Sequence, residues 1–138
     1  MIEKGQPMEI LQPPGWMRPR GYANGVAATG RMVFVSGMIG WDAQGIFRTA
    51  ELAGQVRQAL ANVVAVLAEA DARPEHIVRM TWYVCDKREY VASYREIGIA
   101  YRAIIGSHFP AMTAVQVAAL VEDAAKVEIE VTAVVPNS

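Results

Sequence analysis

Two side chains carry the chemical reading of this sequence, Glu128 and Met112, and both lie between Phe109 and Glu130. The strand Val127-Glu128-Ile129-Glu130-Val131 puts Val127, Ile129, Val131 and Ala133 on one face and Lys126, Glu128, Glu130 and Thr132 on the other, the period of a half-buried strand. A carboxylate on the non-core face is a solvated or interface charge, or a general acid or base where a cleft tunes its pKa. Met112 opens the preceding apolar run, Met112 to Ala118, which an acidic turn at Glu122-Asp123 separates from the Glu128 strand. A thioether offers flexible, polarizable apolar surface and no charge. Ser36, an unusual choice in mid-strand, bonds locally or faces a ligand. Tyr22, beside Gly21, packs or donates its hydroxyl. Arg20, two residues earlier, is either a surface arginine or a cation for the same site.

Other reactive residue types lead less far. His76 and His108 have no partner at metal spacing and Cys85 is the single cysteine, so no metal site is expected. Cys85 alternates with Val84 and reads as a small apolar residue. His108 is a turn histidine or borders a cleft; Trp41 and Trp82 read as core or interface, with Trp41 also able to wall a pocket.

At 138 residues, with 53% hydrophobic content, the chain suffices for one domain that folds without metal or disulfide. A lone cysteine and a charged opening, Met1 to Gly5, favour a reducing cytoplasm over export, and the longest apolar runs are far short of a membrane span. Met8-Glu9-Ile10-Leu11 offers a second plausible start. Net charge is -1 with scattered Lys and Arg, which argues against a nucleic-acid footprint.

These residues must be positioned by a particular order of elements. Residues 1–21, rich in Pro and Gly, are expected to be irregular, with a single domain over 22–138. Tyr22 to Ala28 and Met32 to Gly37 read as strands joined at Thr29-Gly30, pairing as a hairpin. Residues 49–70 carry Leu52, Val56, Leu60, Val63, Val64 and Leu67 at helical spacing, with Gln55, Arg57, Gln58 and Glu69 off the stripe. Pro74 opens a short turn before a strand from Ile77 to Cys85. Asp86 caps a second helix whose stripe, Tyr90, Val91, Tyr94, Ile97, Tyr101, Ile104 and Ile105, ends at Gly106. The order β-β-α-β-α-β-β is an α+β fold, two helices on one face of a mixed sheet. Several strands are apolar on both faces, so the uncovered face predicts a homo-oligomer.

Gly21-Tyr22 with Gly25-Val26, Val35-Ser36-Gly37-Met38-Ile39, Gln55 to Leu67 with Asn62, Phe109-Pro110-Ala111, Val115-Gln116-Val117-Ala118 and Val127-Glu128-Ile129-Glu130 together resemble the reactive intermediate deaminase family, Rid or YjgF. The resemblance covers the chain from about Gly21 onward. It implies a chorismate-mutase-like homotrimer, without metal or organic cofactor, with a small-molecule cleft at each subunit interface. In the deaminating branch it implies hydrolysis of enamines and imines to 2-oxo acids and ammonia, with Tyr22, Ser36, Gly37 and Glu128 at cleft positions. Glu128 would orient or activate a water, or hold the leaving nitrogen. That branch has an arginine clamping the substrate carboxylate where Met112 stands, a glutamine where Met38 stands and an asparagine where Gly98 stands. Losing a bidentate guanidinium removes roughly 3 kcal/mol of carboxylate binding. The expectation is therefore a more apolar pocket, with Met38 and Met112 as substrate-binding residues, that does not prefer a small 2-imino acid. The alternatives are a non-catalytic metabolite-binding trimer and, ranked last for want of a basic patch, the endoribonuclease that the family's other name suggests.

Overall fold

Alternation along Val127–Val135 builds the middle of the molecule, because every second residue of that strand is buried under helices. The structure is a computed structural model and describes residues 8–137. Among them the elements are β1 (Met8–Leu11), β2 (Gly25–Ala28), β3 (Arg31–Ile39), α1 (Leu52–Glu69), β4 (Ile77–Val84), α2 (Lys87–Ala92), α3 (Tyr94–Ile104), β5 (Ala111–Gln116) and β6 (Val127–Val135). Four strands form one mixed sheet in the order β3-β6-β4-β5, antiparallel except for the parallel pair β4 and β5. That parallel pair needs a crossover, which α2 and α3 supply. Val35, Met80, Trp82, Ile129 and Val131 meet Val56, Leu60, Val63 and Leu67 of α1 in one core. The α+β class, with helices against one sheet face, is as expected from the sequence.

Several expectations need correction. The hairpin of residues 22–28 with 32–37 does not form: β2 pairs with β1, from Met8↔Ala28 to Leu11↔Gly25, and β3 pairs with β6. Gly30 lies at the junction of β2 and β3. At φ 151 a Cβ there would lie 2.8 Å from the Val135 carbonyl carbon, where the chain turns against the end of β6. The expected irregularity of residues 1–21 fails at β1, a stretch with no internal proline whose N–H groups are free to pair. The opening residues Met1 to Gly5 and Pro7 lie outside the described residues. The second helix is two helices, interrupted at Ser93, whose N–H bonds back to Glu89 and Tyr90 carbonyls. Asp86 does cap α2, accepting from the Arg88 and Glu89 N–H groups at 2.9 and 3.2 Å.

Gln55 is not off the α1 stripe but fully buried. Its amide donates to the Thr49 and Ala124 carbonyls and accepts from the Lys126 N–H at 2.8 Å. A buried amide is tolerable because it is so bonded, and here it moors the loop that delivers β6. Asn62 plays a similar part, donating to the Ile39 and Trp41 carbonyls at 3.0 and 2.7 Å. The sheet face away from the helices presents exposed Met32 and Phe34 beside Arg79, Thr81, Glu130 and Thr132. No helix among the described residues is long and apolar enough to cross a membrane.

Candidate functional site

β5 is the last strand of the four-stranded sheet, and its helix-side residues Met112 and Ala114 border a cleft. Met112 lies level with Met80 on that side. An isolated bridge between Ala23 and Ala111, with the Ala23 N–H donating to the Pro110 carbonyl at 2.9 Å, brings the Arg20–Tyr22 segment alongside. The result is a cleft of about 870 Å³ lined by Arg20, Tyr22 and Met112 from this edge and by residues of α2 and α3 opposite. Half-exposed Tyr22 therefore stands where its hydroxyl is available, and Arg20 shares its side of the cleft.

The far wall is aromatic. Phe109 stacks on Tyr101 at 5.4 Å between centroids, Tyr101 and Tyr90 each flank Trp82 at 6.4 Å, and Tyr94 meets Tyr90 edge-on at 5.2 Å. Such pairs add stabilisation beyond the area they bury and form a stiff surface. The Tyr101 hydroxyl donates to the His108 carbonyl at 2.6 Å, and His108 Nε2 lies 2.6 Å from the Ile77 carbonyl, so His108 braces the wall and does not line the cleft. Burial pushes Tyr101 well above the ordinary tyrosine range. Burial, with a smaller contribution from Tyr94, pushes Tyr90 up to about 12. Both rings are thus neutral hydroxyls at physiological pH. An unfolded tyrosine ionises near 10.0 while folded Tyr90 keeps its proton to about 12, so the folded state binds the extra proton between those values. This contribution to stability is fully present below pH 10 and is lost as pH rises through about 12. Urea midpoints measured over that window should fall with rising pH, less steeply in Tyr90→Phe.

The remaining site candidates lie elsewhere in the single chain. Glu128 is on the opposite sheet face, paired across the sheet with Tyr83 and Ile39. Its carboxylate rests over Gly37, where a Cβ would come within 2.6 Å of Glu128 Cδ. Gly37 thus gives the carboxylate its place, at a bulge where Ser36 and Gly37 interrupt the pairing of β3 with β6. Ser36 opens onto a groove on the same face, with Phe34, Arg79, Thr81 and Glu130. The Tyr83 hydroxyl donates to Glu130 at 2.8 Å, a bond that raises the tyrosine pKa. Met38 packs against the core, so within one chain it does not add to the apolar surface around Met112. Tyr22 and Met112 are brought together; Glu128, Ser36 and Gly37 form a second group behind the sheet.

Sequence reading missed the contribution of Tyr90, Tyr94, Tyr101 and Arg102. The tyrosines lie on the stripe of the second helix, where the available signal is their hydroxyls, since a dry core favours Leu and Phe.

Comparison with known proteins matches residues 17–135 to the family model described as Endoribonuclease L-PSP. The chain is 34% identical over 116 residues to the 2-iminobutanoate/2-iminopropanoate deaminase of Escherichia coli K12, covering 82% of this chain and 86% of that one. It is 32% identical to the RutC family protein slr0709 of Synechocystis, over 94% of this chain and 98% of the other. Among solved structures, YyfB of Yersinia pestis, of the conserved Rid protein family, superposes with a TM-score of 0.82 at 29% identity, covering 94% of this chain and 99% of that one.

Proposed function

The chain belongs to the Rid/YjgF family, and from that premise we propose that it hydrolyses a small reactive imine or enamine in clefts completed between the subunits of a homotrimer. The observation that carries this reading is the division of the candidate residues between two sheet faces. Tyr22 and Met112 border a cleft on one side, while Glu128, held over Gly37, lies on the other. A second subunit laid against the outer face would cover Met32 and Phe34 and bring its carboxylate to a neighbour's cleft. Glu128 then activates or orients the water that attacks the imine carbon, and the nitrogen leaves as ammonia. Tyr22 and Met112 hold the substrate, with Ser36 and Gly37 shaping the carboxylate's surroundings.

Recognition differs from that of a 2-iminobutanoate enzyme, because the thioether of Met112 makes no charge-assisted bond to a carboxylate. Ammonia release from imines made in place by an amino-acid oxidase tests the reading: added protein should accelerate it, with aromatic amino acids favoured. Saturable binding without ammonia release would instead support a metabolite-binding trimer, the second reading that the missing guanidinium favours.

A further inference from the structure

The wall of the Met112 cleft opposite β5 carries features that hydrolysis as such does not require. Gly98 sits in the middle of α3, where glycine is less favourable than alanine. No packing demands it, since a Cβ at Gly98 would meet nothing within 4 Å. Its lack of a side chain keeps open space beside Tyr94 and Tyr101. Arg102 follows one turn later at the i+4 position, on the same helix face and lining the same cleft. Neither Arg102 nor Arg20 forms an ion pair among the described residues, and no Asp or Glu lines the cleft. An aromatic box without carboxylates and with two guanidiniums suits an anion, not the cation that carboxylate-edged aromatic cages take. Trp82, only 3% exposed, forms the floor behind the same wall.

We propose that the cleft selects an aryl-bearing carboxylate, such as a 2-imino or 2-oxo acid with an aromatic side chain, with the ring over Gly98 against Tyr94 and the carboxylate on Arg102. The anion contact is thereby moved from strand β5, where Met112 stands, to helix α3. Arg102 is the better support than Arg20 because α3 is anchored by buried Ile97, Ala100 and Tyr101, whereas Arg20 sits in a loop. The assignment rests on the proposed function in one respect, that the Met112 cleft is the substrate site.

The test is equilibrium calorimetry on the intact protein with three probes: phenylpyruvate, pyruvate, and phenylacetone as the neutral aryl ketone. Phenylpyruvate should bind at least about tenfold tighter than either of the others, because only it engages both ring and anion contacts. Arg102→Gln should weaken phenylpyruvate about tenfold or more and leave phenylacetone unchanged. Gly98→Leu should weaken both aryl probes without lowering the melting temperature, which separates lost space from lost folding. Phenylpyruvate binding no tighter than pyruvate, or an Arg102→Gln variant that binds it normally while Arg20→Gln does not, overturns the proposal. Binding is read without turnover, so selective phenylpyruvate binding in a protein that releases no ammonia would end the hydrolase reading and leave this one standing. Hydrolysis confined to small aliphatic imines would do the reverse.

Discussion

Glu128→Gln will lower the rate constant for imine hydrolysis by about a hundredfold or more, the usual contribution of a positioned general acid or base, with little change in KM. Glutamine keeps the shape and removes only the ability to take a proton from water. The shape matters because the carboxylate is set against the Gly37 backbone, so a smaller residue would also let the bulge at Ser36 and Gly37 relax. Gly37→Ala is the complementary change: its new methyl occupies the carboxylate's place and pushes Glu128 away. It should imitate Glu128→Gln in rate while leaving the acid chemically intact. Single-turnover ammonia release from oxidase-generated imines measures both variants. Unaltered rates in both would assign Glu128 to the outer face as an ordinary charge.

Met112→Arg has the second large effect, and its sign depends on the substrate. Two parallel charge-assisted hydrogen bonds should add roughly 3 kcal/mol of affinity for a small 2-imino or 2-oxo acid, about two orders of magnitude. The gain has a cost in the free protein, because Arg20 and Arg102 already line the cleft and a third guanidinium adds like-charge repulsion. The melting temperature of the variant should therefore drop and recover on adding pyruvate, since a ligand bound only by the native state stabilises it by mass action. Calorimetric titration with pyruvate before and after the substitution measures the effect. Failure to gain affinity would mean that Met112 does not stand where a carboxylate binds.

The fold was legible wherever burial repeats with a single period. Val127 to Ala133 announced β6, and Leu52 to Leu67 announced α1, because each element turns one apolar face to one core. The partner of a strand is a different matter. Residues 25–28 are short and weakly patterned, so nothing local distinguishes β1 from β3 as their partner, and β3 is taken up by β6, a strand distant in sequence. Gln55 read as surface because its polarity was visible and its three hydrogen-bond partners, two of them contributed by the loop before β6, were not.

The candidate site was legible in part for the same reason. Tyr22 and Met112 were picked out by their place in motifs, and the Ala23–Ala111 bridge brings them together. The wall facing them comes from α2 and α3, and there the 3.6-residue period marks only that one face is covered. Whether helix, sheet or ligand covers it is settled by geometry: here Ile97 and Tyr101 reach the core while Tyr94 and Gly98 border open space.

The most direct test of the central claim, that each cleft is completed by Glu128 from a neighbouring chain, is to mix two inactive variants. Glu128→Ala subunits keep an intact cleft, and Gly98→Phe subunits keep the carboxylate but have the cleft filled. Co-refolded in equal amounts, random trimers should regain roughly a quarter of native ammonia release, because half of the clefts are intact and half of those face an intact carboxylate. Native mass spectrometry confirms that mixed trimers have formed. Activity that stays at the level of the separate variants in such trimers would contradict the account and confine the chemistry to a single chain.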